Sequence, residues 1–480
     1  MEIVYIRGRE AAFELQAGVT CSCDYNTSAD HRELAHSQQL LTGSIYSPGS
    51  PLFLPNGADM MNKLTACLRA HYPLFGFREV ITPNIYKRSL WEKSGHWDNY
   101  ANDMFEVRGR GATGVKENAD IGEDEVFGLK PMNCPGHCLL FASQNHSYRD
   151  LPIRYADFSS LHRNEISGAL TGLTRVRRFH QDDGHIFCRP DQIEAEIKKT
   201  MDFIDLVYGD IFGMREYRLV LSTRPAEKYI GSVEDWDRAE RQLKSALDSS
   251  ERDWTLNEGD GAFYGPKIDI ILKDAHGKEH QTATVQLDFQ LPQRFELKYD
   301  APGKDGEDLS RETPVLIHRA VLGSLERFLA LIIEHYNGRY PFWISPRPLK
   351  ILSVSQKPEE LQHIENVAAE LAGVQAGKAR KIPSRRPNIQ VEIDTSARPL
   401  GKKIREAKNE GFNFIIVIGP QDAEKGGLVL RMLNQWDEAR SLEILGLTLG
   451  PDGLAKDPKN IRTNARDVRA FLEKLQDEYM

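Results

Sequence analysis

Cysteine is scarce in this chain, with six in 480 residues. That is too few for a disulfide framework at this length, and it points to a reducing compartment. Long apolar runs are missing too. Nothing approaches the roughly 18 consecutive apolar residues of a spanning helix, so no membrane segment is expected. Positive charge is not in excess: 62 Lys and Arg against 70 Asp and Glu leave a net charge of −8. A nucleic-acid partner would therefore be met by local basic patches, not by a global field. The chain has no internal repeat and no low-complexity run, and its length suits roughly two to four domains. It also lacks H-E-x-x-H, which argues against a zinc hydrolase built on that helix.

Three zones are present. Residues 1–29 form a weakly patterned leader with Arg7 and Arg9 but also Glu2, Glu10, Glu14 and Asp24. A mitochondrial presequence is poor in acids, so this leader does not support one. Its Cys21 and Cys23 have no second Cys/His pair nearby and are not read as a zinc site. Residues 30–345 alternate helical and strand patterns, and PFWISPRP (341–348), with three prolines, reads as a linker. Residues 346–480 read as a small α/β domain. LKILSVS, NIQVEID, FNFIIVIG and GLVLRML are its strands, and PEELQHIENVAAELAG, LGKKIREAKNEG and an Asn-capped NARDVRAFLEKLQDEY its helices. In the central zone, YADFSSLHRNE and RVRRFHQDDGHIFC read as a hairpin around SGALTGLT. LIHRAVLGSLERFLALIIEHY reads as one helix, with Val321, Leu325, Phe328, Leu329 and Ile332 at helical spacing and Gly323 inside it.

The hairpin is dense in arginine: Arg154, Arg163, Arg175, Arg177, Arg178 and Arg189. Guanidinium groups suit bidentate recognition of phosphate and carboxylate. Strand alternation would put Arg175, Arg177, Phe179, Gln181, Asp183 and His185 on one face. Cys134, His185 and His318 together match the three-ligand count of a zinc ion with an open position. Singly, His318 reads as a structural histidine and Cys134 as a small buried hydrophobe.

These segments resemble the signature motifs of class II aminoacyl-tRNA synthetases, and within that class the threonyl-tRNA synthetases. GFREVITP (76–83) resembles motif 1, residues 158–188 motif 2 with its loop, and GSLERF (323–328) motif 3. KPMNCPGH (130–137) and GAFYGPKIDI (261–270) match the threonyl type. The resemblance spans about residues 30–480. It implies an α+β fold: a class II antiparallel sheet flanked by helices over 30–345, then a C-terminal α/β anticodon-binding domain over 346–480. It implies one Zn²⁺ per chain on Cys134, His185 and His318, and Mg²⁺ arriving with ATP. ATP contacts are implied for Arg163, Glu165, Arg175, Phe179, Gln281 and Arg327, with Arg163 at the α-phosphate and Arg327 at the γ-phosphate. Threonine and adenylate contacts are implied for Met132, Gln181, Asp183, Tyr264, Gln286 and Ser324, with Lys267 joining Arg163 and Arg327 in catalysis. Arg405 and Arg431 match anticodon-contacting positions.

The implied partners are threonine, ATP and a threonine tRNA, in a homodimer built on motif 1. Three positions depart from the pattern: Ala397 for an anticodon-facing Asn, Asp422 for Glu, and His180 for a small hydroxyl residue in motif 2. Only 29 residues precede DHRELAHSQQLL, so no N-terminal editing domain is expected and serine should leak into the product. This short architecture resembles fungal mitochondrial members. By that analogy the expected location is the mitochondrial matrix, with the cytoplasm as the alternative.

Overall fold

In the computed structural model, residues 30–108, 126–302 (except 228, 251 and 275), 310–374, 389–446 and 460–480 are described. The leader, with Cys21 and Cys23, lies outside them. In chain order the elements that matter are α1 (His31–Ser37), α2 (Pro55–His71), β1 (Arg78–Glu79), α3 (Cys134–Ala142), β2 (Ile153–Asp157), β3 (Ser160–His162) and β4 (Arg178–Cys188). Then come α4 (Ile193–Asp205), β5 (Arg218–Ser222), α5 (Val233–Asp248), β6 (Trp254–Asn257), β7 (Lys267–Lys273), β8 (Glu279–Asp288), β9 (Val315–Ser324) and α6 (Leu325–His335). The C-terminal part holds β10 (Leu349–Ser353), α7 (Pro358–Leu371), β11 (Val391–Asp394), α8 (Leu400–Asn409), β12 (Phe414–Ile418), β13 (Leu428–Met432), β14 (Ile461–Thr463) and α9 (Ala465–Asp477).

The large sheet runs β6-β5-β7-β8-β9-β4-β2-β1, with β3 on β4. Its central pairs are antiparallel, and only the two end pairs, β5–β6 and β1–β2, are parallel. Alternation gives β4 and β9 two different faces. Ile186, Ile317 and Val321 point into the main core with residues of α4, α5 and α6. Phe187 and Leu316 point the other way, packing with Cys134 and Cys138 of α3.

The predicted helix over 316–336 is corrected here. Its first half is β9, and only Leu325–His335 is helical. A strand buried on both faces reads as an unbroken apolar run, and such a run is indistinguishable from a buried helix by period. The break was written in Gly323-Ser324. Gly323 has φ +70°, and a Cβ there would come within 2.3 Å of the Thr282 carbonyl oxygen. The Ser324 side chain then caps α6 by accepting from Arg327 N–H. In α6, Phe328, Leu329, Ile332 and Ile333 are fully buried, each worth roughly 1.5–3 kcal/mol of transfer free energy.

A buried ion pair braces the irregular end of β9, where the register with β4 shifts between Ala320 and Ser324. The Asp182 carboxylate accepts from the N–H groups of Val321, Leu322 and Gly323 at 2.7, 2.9 and 3.0 Å. Arg319 donates to it at 3.1 Å. The Arg319 guanidinium lies 4.1 Å from the Phe77 ring centroid and 4.7 Å from that of Tyr72. It fills the space over Gly184, where a Cβ would meet its Nε at 2.8 Å. Gly184 is thus small because its cross-strand neighbour Arg319 is large.

The segment 341–348 is not a solvated linker. Phe342 packs into the C-terminal core, while Trp343 and Ile344 pack into the main core. Its prolines fix the path of a buried joint. Beyond it the sheet runs β11-β10-β12-β13-β14. Its first three strands are parallel and its last two pairings antiparallel. The strand and helix segments read there from sequence all form, including the Asn464 cap of α9.

Candidate active site

The register of the large sheet lines up one polar row. Gln286 of β8 pairs with His318 of β9, His318 with His185 of β4, and His185 with Tyr155 of β2. Helix α3 brings Cys134 against this row. One ligand atom from each of Cys134, His185 and His318 falls within 4.8 Å of the others, and all three residues are buried. His185 Nε2 and His318 Nδ1 are 2.9 Å apart, and the other His318 nitrogen, Nε2, is 2.9 Å from Asp288 Oδ2.

These contacts test whether a metal fits. If His318 Nε2–H donates to Asp288, then His318 Nδ1 is bare. A direct hydrogen bond from His185 Nε2–H would then leave His185 Nδ1 as a bare acceptor, and that buried atom has no hydrogen-bond partner. A cation between the rings removes the conflict. Both facing nitrogens are then bare, and the His185 proton moves to Nδ1, 3.9 Å from Asp183 Oδ1. Burial holds the Cys134 thiol well above its usual range, with Asp183 and other neighbours adding to it. Burial likewise holds His185 well below the imidazole range, with nearby cationic groups adding to it. The buried thiol becomes a ligand beside the facing imidazole nitrogens when a cation displaces its proton. The residues therefore fit zinc.

Asp288 is the partner that fixes the His318 tautomer, and sequence reading missed it. Its signal was the alternation Thr284, Gln286, Asp288 along β8, polar against the buried Val285 and Leu287. In Asp288→Asn the amide can still accept from the N–H groups of Gln290 and Leu291, which Asp288 now serves. It would present N–H against N–H at His318. Zinc affinity measured by chelator competition is expected to fall roughly 10–100-fold; unchanged affinity would show that Asp288 does not orient the ligand.

Around the trio, the Tyr264 ring stacks on His318 at 4.8 Å and its hydroxyl donates to Gln286 Oε1 at 2.5 Å. Asp183 is buried and accepts from Asn133 Nδ2 at 3.1 Å. Burial raises its carboxyl above the usual range, against the pull of nearby imidazoles. Met132 Sδ lies 3.3 Å from His96 Nε2, which is 3.8 Å from Cys134 Sγ. Burial, with smaller contributions from nearby cationic groups, pushes His96 down to about 3, so its ring is neutral. Neither Asn133 nor His96 was anticipated.

One cavity gathers Arg163, Glu165, Arg175, Phe179, Gln181, Gln281, Gln286, Ser324 and Arg327. Residues from three separated sequence segments meet there. The Arg163 guanidinium lies 5.0 Å from the Phe179 ring centroid. Glu165 pairs with Arg175 at 2.9 Å, and Arg327 donates to the carbonyl oxygens of Thr174 (3.0 Å) and Gln281 (2.8 Å). Arg327 is held below the usual guanidinium range by burial and then by the charges of Arg163 and Arg175. Three cations share one carboxylate, so the cavity favours a polyanion.

Two details differ from the sequence reading. Arg175 and Arg177 precede β4, so strand alternation does not place them on the face of Gln181, Asp183 and His185. Lys267 lies outside this cavity, with its ammonium 2.5 Å from Asp269 and 3.2 Å from Asp260. In the C-terminal part, Arg405 is exposed on α8. Arg431 sits on β13 with Val429, on the face where α8 packs.

Residues 117–336 match the tRNA synthetase class II core domain family (G, H, P, S and T), and residues 351–444 match the anticodon binding domain family. The chain is 50% identical over 406 residues to the probable mitochondrial threonine–tRNA ligase of Schizosaccharomyces pombe, covering 83% of each chain. It is 47% identical to the cytoplasmic threonine–tRNA ligase of Caenorhabditis elegans over 84% of its own length, and spans about half (51%) of that relative. Among solved structures it resembles one described as the RNA binding domain of threonyl-tRNA synthetase from Cryptosporidium parvum. That match has a TM-score of 0.78 at 42% identity and covers 93% of this chain and 98% of that one.

Proposed function

Because the chain belongs to the threonyl-tRNA synthetases of class II, we propose that it joins threonine to a threonine tRNA through a threonyl-adenylate, reading threonine at a zinc site. One observation carries the reading. Gln286 lines the arginine cavity and also pairs with His318 and Tyr264, so a buried three-ligand cluster and a polyanion site share one wall.

Cys134, His185 and His318 would hold one zinc ion per chain. Bound there, zinc would supply open coordination positions for the amino and hydroxyl groups of threonine. Valine matches threonine in shape but lacks that oxygen, and an apolar pocket alone separates such pairs by only about 10²-fold. Asp183 accepts from the substrate hydroxyl, while Met132, Gln181, Tyr264 and Ser324 shape the space around it.

ATP, carrying Mg²⁺, occupies the arginine cavity. Phe179 stacks on adenine, Glu165 accepts from the adenine amino group, and Gln281 and Arg175 flank the nucleotide. Arg327 holds the γ-phosphate and Arg163 the α-phosphate. The threonine carboxylate attacks the α-phosphorus in line and pyrophosphate leaves. No proton needs to move, so positioning and charge neutralisation by the arginines dominate. A ribose hydroxyl of the tRNA terminal adenosine then attacks the adenylate carbonyl, and AMP leaves. Arg405 and Arg431 would meet the anticodon, and Lys267 would steady the pocket wall through Asp269.

Threonine-dependent ATP–pyrophosphate exchange tests the assignment. Strong exchange with proline and none with threonine would overturn it.

The homodimer reading is supported by exposed apolar side chains beside the sheet-edge strand β1. Ile81 is 87% exposed and Leu74 74% exposed, an arrangement that marks an association face. Ile81→Asp is expected to shift the protein towards a monomer in sedimentation velocity; an unchanged mass would rule this face out. Location in the mitochondrial matrix is supported by similarity to the Schizosaccharomyces pombe protein, and imaging of a tagged full-length chain tests it.

A further inference from the structure

We propose that His31, outside the nucleotide cavity, is a positioning residue that holds the backbone of the 172–174 loop and through it Arg327 and Arg175. The inference rests on the reading of those arginines as nucleotide ligands.

His31 opens α1 and is buried. Its Nδ1 is 2.7 Å from Glu334 Oε1 on α6, and its backbone N–H donates to the same oxygen at 3.2 Å. Its Nε2 accepts from the N–H of Leu173 at 3.2 Å. The ring therefore spans the far end of α6 and the loop of motif 2. The fit is tight: a Cβ on Gly172, whose φ is +45°, would lie 2.2 Å from His31 Nε2. Thr174, which follows Leu173, gives its carbonyl oxygen to Arg327 Nε at 3.0 Å, and Arg175 comes next. Arg327 itself rises from the start of α6. One imidazole thus braces both the helix that carries Arg327 and the loop whose carbonyl aims it.

Asp30, His31 and Glu334 also bring three possible metal donors within 4.8 Å of one another. The hydrogen bonding argues against a metal there. Accepting from Leu173 N–H requires a bare Nε2, so in the neutral ring the proton sits on Nδ1 and donates to Glu334. No lone pair on the ring then remains for a cation.

Two near-isosteric variants of the full chain separate the two contacts. In His31→Gln the side-chain oxygen reaches the place of Nε2 and can still accept from Leu173. In His31→Asn the shorter amide reaches only Glu334. In pyrophosphate exchange, His31→Asn is expected to raise the KM for ATP about tenfold with the KM for threonine unchanged, and His31→Gln to stay within about twofold of the parent. Amide hydrogen exchange at Leu173 should quicken in the Asn variant only. Equal KM values for ATP in parent, Gln and Asn proteins would overturn the proposal, as would equal losses in both variants or a joint rise in both KM values. Arg327→Ala serves as the reference. If it leaves the KM for ATP unchanged, the nucleotide reading itself fails. If it raises that KM while His31→Asn does not, only the role of His31 fails.

Discussion

Arg163→Ala is expected to lower the rate of threonine-dependent pyrophosphate exchange roughly 10²–10³-fold, about 2.7–4 kcal/mol of transition-state stabilisation. In the proposed step negative charge gathers on the α-phosphoryl group. Arg163 stands against Phe179 in a cavity where Glu165 is already engaged by Arg175. Among the described residues Arg163 has no carboxylate partner to release first; its Nε donates only to the Pro131 carbonyl oxygen at 3.4 Å, so its charge is available to the substrate. The same group acts little on bound threonine, so the loss should appear in kcat and in kcat/KM for ATP, with the KM for threonine nearly unchanged. Arg163→Lys keeps a charge but not the planar fork, and should recover only part of the loss. Full activity in Arg163→Ala would remove Arg163 from the α-phosphate.

Cys134→Ala separates two descriptions of one buried sulfur. As an ordinary small hydrophobe, Cys134 would cost about 1 kcal/mol of stability on truncation and leave chemistry intact. As one of three zinc ligands, its loss should abolish stoichiometric zinc. Threonine-dependent exchange should then fall by more than the roughly 10–100-fold typical of an orienting partner. Thermal unfolding alongside metal content distinguishes the cases. Retained zinc and activity with a slightly lowered Tm would assign Cys134 to the core.

Much of this site was legible through the resemblance of its motifs to those of class II synthetases, and part of it through strand alternation. Alternation along β4 put Gln181, Asp183 and His185 on one face, and the structure keeps them there. Arg163, Arg175 and Arg327 were singled out by the family resemblance, and they converge on one cavity. What escaped was set by partners distant in sequence. β9 passed for a helix because both of its faces are buried, so neither period stands out. Asp288 matters only because register places β8 beside β9. Arg319 carries no local signal of burial, yet it is buried against Tyr72 and Phe77 in the space that Gly184 leaves free. His31 carries no local signal, since its two partners are Leu173 and Glu334. The prolines of 341–348 suggested a linker, and Phe342, Trp343 and Ile344 within it fill two cores.

The central claim is that a metal reads the amino acid. Its most direct test is the metal content of the purified full-length protein, measured with pyrophosphate exchange for threonine and valine before and after chelation. The account predicts one zinc per chain and exchange with threonine but not valine. Both should be lost with the metal and restored by Zn²⁺. Undiminished threonine-dependent exchange from protein shown to carry no metal would contradict it.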